Sequence, residues 1–168
     1  NVITSKAVPE IITERGGTAV RTPVGHSLIK AEMARTGAVF GGEHSGHFYF
    51  KDFFLADSGM IAALHVMSAL AEADGTVSEL MGQYERYVAS GEINSTVDDA
   101  AVVMETLSQA YAQLPQDLLA GLTVTADTWW FNVRASNTEP LLRLNVEADT
   151  ADEMERVRDE VLDAIRNP

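Results

Sequence analysis

Two short stretches of the chain carry side chains suited to chemistry rather than packing. The first is Gly41-Gly42-Glu43-His44-Ser45-Gly46-His47. A carboxylate such as Glu43 accepts two hydrogen bonds side by side, which matches a vicinal diol, while Ser45, His44 and His47 can each donate or accept. The glycines let backbone approach a ligand closely. The set suits a sugar, and it equally suits a glycine-rich turn whose polar residues face water. Metal binding is a third reading, because His44-x-x-His47 with Glu43 supplies three possible ligands, although no helix or strand period puts the three on one side. The G-x-G-x-x-G spacing of a dinucleotide site is missing. The second stretch is Arg134-Ala135-Ser136-Asn137-Thr138-Glu139-Pro140. The planar guanidinium fork of Arg134 matches phosphate oxygens. Ser136, Asn137 and Thr138 add neutral donors, and turn amides can join them as a nest. Its plain alternative is a polar hairpin turn with Arg134 paired to Glu139. His26, at the start of a helical segment, can bind an anion or sugar there or merely cap the helix. Lys6 reads as a solvated lysine, His65 as a satisfied core residue, and Trp129-Trp130 as an edge pair with one ring in and one out.

The elements that must position these loops fall into two rhythms. In the first, Val2–Thr4 reads as extended, Pro9 opens a helix through Arg15, and Thr18–Val24 is β-rich. Ser27–Arg35 is helical and closed by Gly37. Ala38–Phe40 is a short apolar strand leading into the first loop, which therefore sits at a strand's carboxyl end, where open α/β sheets bind ligands. Asp57 suits an N-cap for a helix over Ser58–Ala73 that is apolar nearly all round and so expected to be buried. Thr76–Glu79 is a capping box for a helix to about Val88. This order implies parallel strands with right-handed crossovers. Residues 89–92 read as a hinge. Beyond them come a strand at Ile93–Val97, an amphipathic helix over Asp98–Leu114, strands at Leu122–Ala126, Trp129–Val133 and Leu141–Val146, and a last helix capped at Thr150 with Met154, Val157, Val161 and Ile165 on one face. The expected fold class is α/β, a partial parallel βαβ domain over residues 1–90, followed by a small α+β domain over 91–168 with an antiparallel sheet flanked by helices.

Composition narrows the function. The 168 residues carry 12 Lys+Arg and 25 Asp+Glu, a formal charge of −13, with 46% apolar residues and no cysteine. Ten acids face seven bases in residues 1–90, and fifteen face five in 91–168, leaving −3 and −10. Nucleic acid and anionic membrane need a basic stripe and are disfavoured as partners. An anion site in the acidic half must rest on local donors, which the second loop supplies. Without cysteine there is no disulfide framework, thiolate zinc site or cysteine nucleophile. The densest apolar run, Met60–Leu70, is broken by His65 and Ser68 and does not suit a bilayer span. No secretory leader is read, which with the absence of disulfides points to a cytoplasmic protein. The chain opens on Asn1 with a strand already under way, so it is expected to be a piece of a longer protein.

Together these residues resemble the α-D-phosphohexomutase family. Gly42-Glu43-His44-Ser45-Gly46-His47 is similar to its sugar-binding loop, G-E-x-S-G-H, in the third of four domains. Residues 134–140 are similar to its phosphate-binding loop, R-x-S-N-T-E-P, in the fourth. His44 and Asn137 look like the phosphomannomutase/phosphoglucomutase subgroup. The resemblance implies interconversion of hexose 1-phosphate and hexose 6-phosphate through a phosphoserine and a hexose 1,6-bisphosphate intermediate, with Mg²⁺ held in the second domain. It implies that Glu43 and Ser45 hold sugar hydroxyls O3 and O4, that His26 and His47 lie in the cleft with His26 a candidate acid/base helper, and that Arg134, Ser136, Asn137 and Thr138 hold the non-reacting phosphate. No D-G-D-x-D-R stretch and no T-A-S-H-N-P stretch occurs. The nucleophile and the metal site are therefore expected upstream, in N-terminal domains of the same enzyme, with no metal ligand here. Residues 1–168 alone are expected to be inactive. The alternatives are a non-catalytic sugar-phosphate binding module, a phosphoglucosamine mutase fragment, and an interaction domain whose loops are incidental.

Overall fold

The computed structural model describes residues 1–136 and 139–167, which fall into two units, Asn1–Arg86 and Tyr87–Pro168. In the first unit α1 (Ala7–Glu14) is followed by α2 (His26–Thr36), whose end is closed by Gly37 at φ 73°. Glycine takes that left-handed cap without a Cβ penalty. Strands β1 (Phe40–Gly42), β2 (Phe48–Phe50) and β3 (Ala56–Asp57) form a small sheet in the order β1-β2-β3. Two further helices follow, α3 (Gly59–Glu72) and α4 (Val77–Gly82). The core beside the sheet is small: Ile29 and Met33 of α2 pack on Tyr49 of β2, with Ala38 and Leu55 against them.

An α/β unit followed by an antiparallel sheet flanked by helices is the anticipated fold class, but the first unit differs from the partial parallel βαβ domain expected. The described strands of the first unit pair antiparallel, Phe40 with Phe50 and Tyr49 with Asp57, not parallel. Segments 2–4 and 18–24 meet through one bond, Val2 N to Thr22 O at 3.0 Å, and form no ladder. Pro23 removes a donor from the second of them. Ser58, not Asp57, caps α3, accepting from Ile61 N, while the Asp57 carboxylate accepts from Phe48 N across the sheet. The capping box at Thr76 and Glu79 is present, yet α4 ends at Gly82. Most consequentially, α3 buries no residue: Met60 is 75% exposed, Met67 64% and Leu64 58%. A nearly all-apolar sequence says what a helix needs to cover, not what covers it.

The second unit is a sheet in the order β4-β8-β7-β6-β5, antiparallel throughout: β4 (Val88–Thr96), β5 (Gln116–Asp117), β6 (Leu122–Thr125), β7 (Trp129–Ala135) and β8 (Leu141–Ala148). Residues 89–92, read as a hinge, lie inside β4, where the register shifts between Ala89 and Glu92 and Gly91 takes φ 69°. Such a bulge kinks a strand and re-aims its side chains. Helices α5 (Ala100–Ala110) and α6 (Ala151–Arg166) are capped by Asp99 and Thr150. Met154, Val157, Val161 and Ile165 of α6 and Val103 and Leu107 of α5 meet Leu122, Val124, Phe131, Val133, Leu142, Leu144 and Val146 in one core. Alternation sends the residues between these to the other face, which is polar and bonded: Asn132 Nδ2 donates to Thr123 Oγ1 at 3.0 Å and Trp130 Nε1 to Glu147 Oε2 at 2.7 Å. Trp129 instead stacks parallel to Phe131, 6.0 Å away.

Candidate functional site

In the first unit the loop is the turn of the β1–β2 hairpin, so it ends an antiparallel pair rather than a parallel strand. Glu43 N donates to His47 O at 2.9 Å, Gly46 N to Glu43 O at 3.0 Å, and Gly46 takes φ 82°. Gly41 serves packing. A Cβ there would lie 2.8 Å from Met33 Sδ and 3.0 Å from Ile29 Cγ2, so its absence lets α2 lie close on β1.

Within the turn, Glu43 points inward and is 8% exposed. Its Oε1 accepts from Gly25 N at 3.0 Å and, at the long limit, from Asn1 Nδ2 at 3.4 Å, while its Oε2 accepts from the Tyr49 hydroxyl at 2.6 Å. Burial would raise its pKa, but the bonds from Tyr49, Gly25 and Asn1, with His47 nearby, outweigh that and hold it below the ordinary carboxylate value. Burial and the Glu43 carboxylate push the Tyr49 phenol upward, so Tyr49 is the donor. The bond to Gly25 N brings the start of α2, and so the exposed His26, beside the hairpin. Ser45 Oγ and His47 Nδ1 are 2.9 Å apart and both residues are exposed. Of the expected sugar-binding residues, then, Glu43 is linked to the residue preceding His26, and Ser45 to His47. Among the described residues no three His, Asp or Glu side chains converge as metal ligands. Lys6 stands at the N-cap of α1, and His65, expected in the core, is exposed and stacks on Phe50 at 5.6 Å.

In the second unit, register decides the site. Arg134 of β7 lies directly opposite Arg143 of β8, and Asn145 of β8 opposite Glu92 of β4. Like charges directly opposite are destabilising, and one anion relieves them. The Glu92 carboxylate pairs with Arg134 Nη2 through one oxygen and with Arg143 Nη1 at 3.3 Å through the other. Arg134 Nη1 donates to Asn145 Oδ1 at 2.9 Å, and Arg143 Nη2 to Ser136 Oγ at 3.4 Å. Arg143 Nε is buried with no hydrogen-bond partner among the described residues. The alternative of an Arg134–Glu139 pair does not form: Glu139 faces Arg143 at 3.8 Å. Beneath Arg134 lies Gly121, at φ 74°, where a Cβ would fall 2.3 Å from Val133 O and 2.6 Å from Arg134 Cβ. The expected donors Asn137 and Thr138 lie outside the described residues. Sequence reasoning missed Glu92, Arg143, Asn145, Gly121, Gly25 and Tyr49. Only Arg143 carried a signal, a second guanidinium one strand after the loop.

Comparison with known proteins gives a consistent set of matches. Residues 1–87 match a family model described as phosphoglucomutase/phosphomannomutase, alpha/beta/alpha domain III, and residues 92–164 one described as phosphoglucomutase/phosphomannomutase, C-terminal domain. The chain is 40% identical over 161 residues to a phosphomannomutase of Methanocaldococcus jannaschii, covering 96% of this chain and 36% of that protein. It is 40% identical over 142 residues to a phosphomannomutase of Escherichia coli, covering 83% and 31%. A crystal structure of a phosphoglucomutase/phosphomannomutase family protein from Burkholderia thailandensis superposes with a TM-score of 0.80 at 26% identity, over 96% of this chain and 36% of that one. The chain thus spans about a third of the length of these relatives.

Proposed function

Because the chain belongs to the phosphoglucomutase/phosphomannomutase family and carries its domain III and C-terminal domain, we propose that it is the sugar- and phosphate-holding part of a mutase that interconverts hexose 1-phosphate and hexose 6-phosphate. The observation that carries this reading is the facing guanidiniums of Arg134 and Arg143 beside Ser136, local donors of the kind an anion site in the acidic half of the chain would need. In this reading Arg134, Ser136, Asn137 and Thr138 hold the phosphate that is not reacting. Glu43 and Ser45 accept and donate to the sugar hydroxyls O3 and O4. His47 steadies Ser45, and His26 stands as the acid/base helper. Phosphoryl transfer asks mainly for positioning and charge stabilisation. A grip on O3 and O4, which leaves O1 and O6 free, serves a hexose 1,6-bisphosphate in both of its orientations.

The nucleophilic serine is assigned to N-terminal domains of the parent protein. Mg²⁺ is assigned there too, as the resemblance to the family implies, and no step here runs through it. The exposed apolar side of α3, with Met60, Leu64 and Met67, supports packing against further parts of the parent, since apolar patches of this kind mark interaction surfaces. The described residues include no helix long and apolar enough to cross a membrane, and the reading places the parent in the cytoplasm, with hexose phosphates as its small-molecule partners.

The test uses the full-length protein. Arg134→Ala should weaken binding of a hexose 6-phosphate, measured calorimetrically, by about tenfold or more, since hydrogen bonds to charged groups contribute about 1.5–3 kcal/mol. Residues 1–168 alone should not turn over mannose 1-phosphate. An unchanged isotherm in the Arg134→Ala variant, or turnover by residues 1–168, overturns the reading.

A further inference from the structure

Tyr49 is the most buried large side chain of the first unit, 1% exposed, yet it carries a hydroxyl that the reading above does not use. The hairpin register places it opposite Gly41, and its ring is clamped by Ile29 and Met33 of α2, with Leu55 and Ala38 packed around them. A buried ring so held has little rotamer freedom, so its oxygen is delivered to a fixed point. At that point it donates to Glu43 Oε2 at 2.6 Å. The other carboxylate oxygen, Oε1, accepts from Gly25 N at 3.0 Å and, at the long limit, from Asn1 Nδ2 at 3.4 Å.

A carboxylate offers about four lone-pair directions, two on each oxygen. The close donors, the Tyr49 hydroxyl on one oxygen and Gly25 N on the other, fix the plane of the group; Oε2 keeps one direction open, and on Oε1 the long contact from Asn1 Nδ2 at 3.4 Å is the one that a ligand hydroxyl would displace. Two adjacent acceptors so oriented fit two neighbouring hydroxyls of a ring. We propose that Tyr49 is a positioning residue, aiming the Glu43 carboxylate so that the site selects hexoses by the configuration of the O3/O4 diol. This rests on the reading of Glu43 as the acceptor of those hydroxyls. It adds a specificity determinant built into the core, six residues from the group that it orients.

The charged and titratable groups around the pair are few. His47 on the hairpin acts on Glu43, and Asp57 of β3 acts on Tyr49; the Asn1 amino group, which also faces Glu43, is a titratable group only in a chain that starts at Asn1. Removing the phenol O–H leaves the others in place, and Glu43 then protonates at higher pH. A hydrogen bond to a charged group is large enough to move the selectivity about tenfold.

Tyr49→Phe in the full-length protein tests this. The preference for a hexose phosphate over its C4 epimer should fall about tenfold, KM should rise with kcat little changed, and the acid limb of kcat/KM should move up by about one pH unit. A loss of packing alone would move neither the epimer ratio nor the limb. If the variant melts early, site-specific 3-fluorotyrosine at position 49 keeps the shape and strengthens the donor, and the limb should move down instead. An unmoved limb and epimer ratio in either variant overturn the proposal. Glu43→Gln separates the two levels: if it leaves KM and the epimer ratio unchanged, the reading of Glu43 itself has failed. If it changes both while Tyr49→Phe changes neither, only the role of Tyr49 has failed.

Discussion

Replacing Glu92 with Gln should loosen the second unit while tightening the hold on phosphate proposed for it. Glu92 bridges two arginines that the β7–β8 register sets face to face, and the three side chains are 28% exposed at Glu92, 11% at Arg134 and 31% at Arg143. Exposed pairs contribute roughly 0–1 kcal/mol, and breaking a fully buried pair costs about 3–5 kcal/mol. This half-buried bridge falls between them, and the Gln carbonyl keeps one hydrogen bond, so a loss of about 1–2 kcal/mol follows. For phosphate the sign reverses. A unit charge about 6 Å from a carboxylate in surroundings of effective dielectric about 20 is repelled by about 3 kcal/mol. Solvent exposure and the lost ordering of Arg134 take back roughly half, leaving about tenfold tighter binding. The assay is calorimetric titration of a hexose phosphate into full-length wild type and E92Q at fixed salt, beside thermal melts of both. Raising the salt should shrink the difference. Weaker or unchanged phosphate binding in E92Q would refute the reasoning, because Glu92 would then be orienting Arg134 rather than competing for it.

Two further outcomes follow from the same geometry. Gly121→Ala should destabilise the second unit by more than about 1 kcal/mol, because the new Cβ meets the Val133 carbonyl at 2.3 Å and the backbone sits at φ 74°; a melting temperature lowered by less than about 4 °C would contradict this. Glu43 is held below its ordinary carboxylate pKa by Tyr49, Gly25 and Asn1 against the opposing effect of burial. Its contribution to stability is therefore complete above the unfolded value of about 4.3 and is lost as pH falls through the lower folded value. The stability advantage of wild type over Glu43→Gln, followed by denaturant unfolding from pH 7 down to pH 3, should be flat at first and then shrink. A constant difference across that range would show that Glu43 is not stabilised as its ion.

Local signals were readable wherever neighbours in the chain are neighbours in space. The caps at Gly37, Thr76 and Thr150, the buried stripe of α6 and the alternation of β6, β7 and β8 all follow from spacings of a few residues. The errors share one cause. Asp57 looked like a cap because its type is right, but across the sheet Phe48 N claims its carboxylate. Residues 89–92 looked like a hinge, but pairing with β8 makes them strand. The apolar α3 looked buried, but burial requires a partner.

For the site, the amino-acid sequence alone determined which groups are present: a diol-matching carboxylate with a hydroxyl and an imidazole beside it, and a guanidinium with neutral donors in an acidic half. Those are matters of residue type and short spacing, which survive without knowledge of the fold. Tertiary structure alone decided how the groups are held. Tyr49 reaches Glu43 through the hairpin register, and Glu92 reaches Arg134 across forty-two positions of chain through the order of strands β4, β8 and β7. A hydrogen bond depends on separations of a few tenths of an ångström and on direction, and only the packed backbone sets those.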